Sequence, residues 1–241
     1  MSGLKLSGQR LGAGIFDVDG VLLASPHERA WREALQGFAD PNRLTTEIYQ
    51  AHVAGKPRLA GALAALEAVG VPDAKRRAVE YAERKQKKLE ELIHAGDFTA
   101  FPDALRFVQS VQALGWPMAV ASSSRNANDM LRVTRLGHGQ TLLDAFKVNV
   151  CGRDLPRGKP DPAIFLLAAA ELGLPPATCF VVEDAPAGIE AARAGGMTAL
   201  GVARLDDAHL LRGAGADLVV TSLDEVDTDV LADARLGRRA T

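Results

Sequence analysis

The sequence predicts an α/β fold: a parallel β-sheet flanked by helices, with an all-helical unit inserted after the first strand. Three observations carry this reading. Short apolar runs alternate with amphipathic helical patterns over most of the 241 residues. The stretch 27–99 breaks the alternation and offers helices only. Polar residues able to do chemistry stand directly after the apolar runs, where open α/β sheets bind ligands.

The strands are expected at 11–16, 118–121, 146–150, 179–182, 198–202 and 218–220. Short, mostly apolar runs of this kind suit parallel strands buried on both faces. Helical patterns at 102–114, 126–136, 162–172 and 187–194 supply right-handed crossovers between them. The insert holds helices at 28–38, 44–53, 57–69 and 74–94. The chain is expected to leave the core near 24–26 and re-enter it near 96–101. Residues 1–26 and 100–241 then form the core domain and 27–99 a cap domain, hinged beside the first strand's end.

Composition excludes several classes of function. With 47% hydrophobic and 24% charged residues and a net charge of −2, the chain is an ordinary globular protein with no nucleic-acid or membrane partner expected. Cys151 and Cys179 are too few for a disulfide framework and fall beside strands, which suits a reduced, cytoplasmic setting. Residues 1–10 carry Lys5 and Arg10 and no apolar leader core. His52, His94, His138 and His209 are scattered and read as surface or helix-end residues. The charged tail 224–241 is expected to fray at Arg238-Arg239, and a monomer suits a hinged cap.

Four strand ends carry the chemistry. The first releases Asp17-Val18-Asp19-Gly20, two carboxylates one residue apart. The second continues into Ser122-Ser123-Ser124-Arg125-Asn126, a turn with a hydroxyl and free N–H groups fit for phosphate, or one in which Ser124 or Asn126 merely caps the next helix. Lys159 lies on the loop of Gly158-Lys159-Pro160-Asp161-Pro162, with Asp161 as N-cap and Pro162 as the first helical residue. Glu183-Asp184 closes the set: adjacent carboxylates need solvent or a cation, and Mg²⁺ prefers a few carboxylates plus water and phosphate. Parallel topology brings all four ends to one sheet edge.

This ordered set resembles the haloacid dehalogenase superfamily, specifically its β-phosphoglucomutase-like and sugar-phosphatase branch, from about Ile15 to Val220. The resemblance implies a Rossmann-like core with an all-helical C1-type cap. It implies Asp17 as the nucleophile that becomes an aspartyl phosphate, and Asp19 as general acid and then base. Mg²⁺ would be held by Asp17, the backbone carbonyl of Asp19, and Asp184, with Glu183 bonding a metal-bound water. Ser122 and Lys159 would bind the phosphoryl group. An acid at Asp19 argues for phosphate esters, because a halide leaving group needs no proton.

The cap bears on the substrate. Lys85 interrupts the apolar stripe Ala78, Ala82, Leu89 and Leu92, either snorkelling to its rim or aiming its charge at the cleft. Arg58 follows Pro57, read as a first helical residue, and so opposes the helix dipole unless an anion binds there. In the resembling branch a cap arginine, a cap lysine and a Ser-Lys-Asn run grip the substrate, and a histidine at the cap entrance contacts the acid. Arg58, Lys85, Ser124-Arg125-Asn126 and His27 stand at matching places. A small phosphorylated metabolite, a phosphosugar above all, is the expected partner. The linker Leu22-Leu23-Ala24-Ser25-Pro26 is shorter than the mutase pattern and lacks its Asp-Thr or Asp-Ser step, which favours a phosphatase over a β-phosphoglucomutase. A non-catalytic phosphate-binding protein is the remote alternative.

Overall fold

A computed structural model describes residues 10–137 and 139–240; the expectations for residues 1–9, His138 and Thr241 lie outside the described residues. The chain runs from β1 (Ala13–Phe16) and β2 (Leu23–Ala24) into four helices, α1 (His27–Ala34), α2 (Thr46–His52), α3 (Arg58–Ala68) and α4 (Ala74–His94). It returns through β3 (Thr99–Ala100) to α5 (Pro102–Ala113), β4 (Met118–Val120) and α6 (Ala127–Val133). A hairpin of β5 (Arg135–Gly137) and β6 (Gln140–Thr141) precedes β7 (Val148–Asn149) and α7 (Ala163–Leu172). Then come β8 (Cys179–Glu183), α8 (Pro186–Ala194), β9 (Thr198–Val202), α9 (Ala208–Gly213), β10 (Leu218–Val220) and α10 (Thr228–Ala232).

Six strands form one sheet in the order β10-β9-β8-β1-β4-β7, and every neighbouring pair is parallel. Successive side chains of a strand point to opposite faces, so each strand feeds two cores. Ala13 and Ile15 join Val181, Phe165 and Ile189 on one face. Phe16 joins Phe107, Phe146 and Phe180 on the other, in tilted and edge-on contacts 5.7 to 6.1 Å between centroids. The connection leaving β1 runs to β4 on one side, while that leaving β8 runs to β9 on the other. The adjacent ends of β1 and β8 are therefore the switch point at which a crevice opens.

Helices α1 to α4 bury their own cluster, which includes Trp31, Leu35, Leu44, Leu66 and Tyr81. The Tyr81 hydroxyl donates to the Trp31 carbonyl at 2.7 Å, which satisfies the one polar atom that ring carries inside. The two crossings between these helices and the sheet pair as an antiparallel ribbon, Leu23 opposite Ala100 and Ala24 opposite Thr99. The helices also touch the sheet edge closely. A Cβ on Gly158 would lie 1.8 Å from Cγ of Pro57, and one on Gly55 would lie 3.2 Å from the Ala185 Cβ.

Several expectations change. Thr99 is the first residue of a strand, because the crossing chain finds Ala24 as a partner. The helix expected over 126–136 ends at Val133, and Gly137 and Gly139, both at positive φ, turn the chain into the β5–β6 hairpin. Leu136 is still buried, but from a strand. The strand expected at 146–150 is reduced to Val148–Asn149. Pro57 and Pro162 are the residues just before α3 and α7 rather than their first, and Asp161 accepts from the Ala163 N–H at 3.0 Å. The tail does not fray at its arginines. Arg238 pairs with Glu225, the Arg239 N–H donates to the Glu225 carbonyl at 2.8 Å, and Leu231 is fully buried. His52, His94 and His209 are exposed, and both cysteines are buried and free. No helix among the described residues is long and apolar enough to cross a membrane.

The Gly158–Pro57 contact makes a test possible. Gly158→Ala sets a methyl against a rigid ring, so the insert must move. Small-angle scattering should give a larger radius of gyration at little change in Tm. An unchanged radius with a lowered Tm would mean that the loop gives way instead.

Candidate active site

Asp17 follows β1 without a break, and its N–H donates to the Val182 carbonyl at 3.0 Å. That bond fixes it beside the end of β8. Lys159, from the loop after β7, reaches in beneath it. Its Nζ lies 2.5 Å from Asp17 Oδ1 and 2.5 Å from Glu183 Oε1, with all three side chains buried. Burial alone would discharge the lysine, but two carboxylates outweigh that and hold it protonated. One ammonium cannot neutralise two carboxylates. Burial, with the surplus negative charge, raises Asp17 and pushes Glu183 up to about 7.

Glu183 faces away from the cleft. Its Oε2 accepts from the N–H groups of Asp184 and Ala185 at 3.1 and 3.2 Å, while Oε1 takes Lys159. Its carboxylate fills the space a side chain at Gly188 would occupy, where a Cβ would lie 1.9 Å from Glu183 Cδ. In this placement Glu183 anchors Lys159, and each of its oxygens accepts from the chain's own donors.

Asp19 is held more loosely. Its Oδ2 accepts from Ser122 Oγ at 3.3 Å, and that hydroxyl in turn accepts from the Ser124 N–H at 3.0 Å. Its Oδ1 is buried without a partner and faces His27 Nε2, also unpartnered, across 3.6 Å. On the far side of the ring, His27 Nδ1 lies 3.1 Å from Lys85 Nζ. Burial raises the Asp19 carboxyl, tempered by the Ser25 and Ser122 hydroxyls and the Lys85 charge. Burial, then the Lys85 charge, lowers His27 well below its ordinary value and leaves the ring neutral. Lys85 is 3% exposed, and its Nζ sits 4.8 Å from the Trp31 ring. It does not snorkel. Desolvation lowers it to about 7, with Asp19 opposing and Arg58 adding to the fall.

A cleft of about 670 Å³ separates the sheet edge from the inserted helices. Asp17, Asp19, Ser122 and Asp184 line it from the sheet side, and His27, Arg58 and Lys85 from the helical side. Ser123, Ser124, Arg125 and Asn126 complete its wall. Asn126 occupies the N-cap position of α6 with no side-chain cap bond, so the capping alternative is not realised. Arg58 is the exposed first residue of α3. Lys159 and Glu183 are the two expected site residues that do not line the cleft themselves.

Sequence reasoning missed Tyr49 and Gln50, both on α2 and both lining the cleft. Burial, then the nearby Asp184 and Asp19 carboxylates, raises the Tyr49 hydroxyl well above its usual value. Gln50 is 4% exposed, and its Oε1 has no partner. Arg204, which lines the cleft, and its partner Asp103 were missed as well.

The donor set suits a hard cation. Burial, then the Glu183 and Asp17 charges, raises Asp184 well above its ordinary value. A Cβ on Gly20, at φ +84°, would fall 1.9 Å from Asp184 Oδ2, so glycine is what lets the Asp19 turn lie against that carboxylate. Among the described residues no group of three or more His, Cys, Asp or Glu side chains forms a metal cage. Mg²⁺ is bound by one or two carboxylates together with water and substrate phosphate, and Asp17 with Asp184 offers that pattern.

A family model for haloacid dehalogenase-like hydrolases matches residues 13–196. The chain belongs to that family. It is 33% identical over 244 residues to a β-phosphoglucomutase of Mycobacterium bovis, covering 90% of this chain and 92% of the relative. It is 31% identical over 214 residues to hexitol phosphatase A of Escherichia coli, covering 88% and 91%. The crystal structure of an archaeal β-phosphoglucomutase from Pyrococcus superposes with a TM-score of 0.73 at 32% identity, covering 92% of this chain and 97% of that one. This haloacid dehalogenase-like chain is an enzyme whose relatives include both phosphosugar mutases and sugar phosphatases. Enzymes of the family generally use Mg²⁺.

Two stability measurements test these electrostatics. Lys159→Met leaves two buried carboxylates without a counter-charge, at a cost of about 3–5 kcal/mol. Lys159 is what keeps the Glu183 carboxyl down to about 7, so without it the carboxyl rises further, and the cost should be largest at alkaline pH and ease as the pH falls towards 7. Lys85 is lowered from 10.5 to about 7, so its burial penalty is full below pH 7 and fades towards pH 10.5. Lys85→Met should therefore raise the urea midpoint at pH 6, with the gain vanishing near pH 10. A gain independent of pH would contradict a charged Lys85.

Proposed function

We propose that this enzyme is a Mg²⁺-dependent phosphatase of a small phosphorylated sugar or polyol, working through a phosphorylated Asp17. The observation that carries the reading is the pairing of Asp17, one oxygen tied to Lys159, with Asp19, held two residues away in the same cleft. Lys159 takes Asp17 Oδ1 and leaves Oδ2 to attack phosphorus. As that bond forms, the bond from phosphorus to the ester oxygen breaks, and Asp19 delivers its proton to the departing oxygen. A raised carboxyl holds a proton for that purpose. Water then attacks phosphorus, Asp19 takes the water proton, and the Asp17–phosphorus bond breaks. Ser122 and the turn through Asn126 offer donors to the phosphoryl oxygens.

The carboxylates of Asp17 and Asp184 and the main-chain carbonyl of Asp19 would hold Mg²⁺, which supplies positive charge opposite the phosphoryl oxygens. Residues 27–99 act as a cap that excludes water, and Arg58, Lys85 and Arg125 give its cleft a cationic rim for a substrate with a second anionic group. Tyr49 and the unpartnered Gln50 Oε1 add hydrogen-bonding groups that suit a substrate rich in hydroxyls. The 33% identity to a β-phosphoglucomutase supports a second reading, in which a sugar hydroxyl replaces water as acceptor.

Asp17→Asn should lower turnover of an aryl phosphate by at least about 10³-fold, since no nucleophile remains. Persistent activity would reassign the nucleophile. β-Glucose 1-phosphate with a trace of the 1,6-bisphosphate separates the two readings. Free phosphate without isomer supports the phosphatase, and glucose 6-phosphate without free phosphate supports the mutase.

A further inference from the structure

Arg204 stands at the carboxyl end of β9, remote in sequence from every motif of the site. Its side chain is 13% exposed and makes contacts to two separate pieces of chain. Nε donates to the Gly20 carbonyl at 3.4 Å, and Nη2 donates to the Val21 carbonyl at 3.2 Å. Nη1 donates to Asp103 Oδ2 at 2.7 Å. The guanidinium carbon lies 4.0 Å from the centroid of the Phe101 ring.

Each partner matters to the site. Gly20 and Val21 are the two residues after Asp19, and Gly20 is the glycine pressed against Asp184. Phe101 follows β3, and its N–H donates to the Leu22 carbonyl at 3.0 Å, which ties the returning crossing to the outgoing one. Asp103 opens α5, and the same Oδ2 accepts from Ser222 Oγ at 3.0 Å and the Leu223 N–H at 2.7 Å, just beyond β10. Burial opposes ionisation of Asp103, but the bonds from Arg204 and Leu223 win and hold its carboxyl below the usual range. The anchor is therefore charged and rigid.

We propose that the Arg204–Asp103 pair is a positioning device: it clamps the turn that carries Asp19 to the sheet edge and to the ribbon leading to the inserted helices. The need is evident at Asp19 itself. Its side chain is held only by hydroxyls, Ser122 at 3.3 Å with Ser25 nearby, and keeps one unpartnered oxygen, so its placement depends on its main chain. That main chain lies beyond the end of β1 and outside the sheet's ladder. Arginine is required because its planar fork reaches three oxygens at once while stacking on a ring, which an ammonium cannot do.

The proposal rests on Asp19 as the proton donor, and its test separates the two. Arg204→Met, Arg204→Lys and Phe101→Leu are compared with wild type, with kcat and KM on an aryl phosphate, Tm, and amide hydrogen exchange as readouts. Misplacing a catalytic group by about 1 Å costs about 10²-fold. Arg204→Met should lose about that factor in kcat while KM changes little, with exchange accelerated at 19–24 and 99–102 and not elsewhere. Arg204→Lys should recover only part of kcat, and Phe101→Leu should show a smaller loss of the same kind. A folded Arg204→Met enzyme with wild-type kcat, or exchange accelerated evenly over the whole sheet, would falsify the clamp. If wild type turns over no phosphate ester, the functional reading fails, and the exchange pattern still decides whether Arg204 holds this turn.

Discussion

Lys159 sits between Asp17 and Glu183 at the point where β1 and β8 end side by side. A buried ammonium is tolerable only with carboxylates in contact, and buried carboxylates only with a cation. Each of the three therefore fixes the other two, and through them the loop after β7 is tied to the switch point of the sheet. Glu183 takes its place because Gly188 leaves room for it and because two backbone N–H groups hold its second oxygen. Asp17 inherits this order, with one oxygen bound and the other open, which is the state that the proposed role of nucleophile requires.

Around this fixed centre the remaining groups are held with decreasing firmness. Asp184 presses on Gly20, Asp19 is held only by hydroxyls, and His27, in contact with Lys85, turns its unpartnered Nε2 from the inserted helices towards the unpartnered Asp19 Oδ1. Firmness falls from the sheet towards the insert, as expected where one side must stay put and the other must admit a ligand.

The sheet and its chemistry were legible in the sequence because they rest on local signals. A buried parallel strand needs a continuous apolar run, and the side chain after it must lie at the sheet edge. Asp17, Ser122 and Asp184 could thus be placed without knowing any contact. That Glu183 anchors Lys159 was hidden because adjacent carboxylates look alike in sequence, and only packing against Gly188 shows which of them turns inward. Arg204 and Asp103 left no local trace, since their pairing depends on how the end of β9 meets the start of α5. The hairpin after Val133 and the folded tail were hidden for a related reason. Leu136 and Leu231 fit a buried helix pattern or a frayed segment equally well until their partners are known.

The ribbon of β2 and β3 has a consequence for how such a chain comes to be folded. Residues paired across an antiparallel ribbon lie about 5 Å apart, so the insert begins and ends at nearly the same point. To the sheet, the whole helical unit has the geometry of a hairpin loop, and the entropy of closing a loop grows only logarithmically with its length. Since the insert buries a cluster of its own, most of its ordering is offset within itself. Strand β1 and its neighbour β4 can therefore pair almost as though the residues between Ala24 and Thr99 were a short turn.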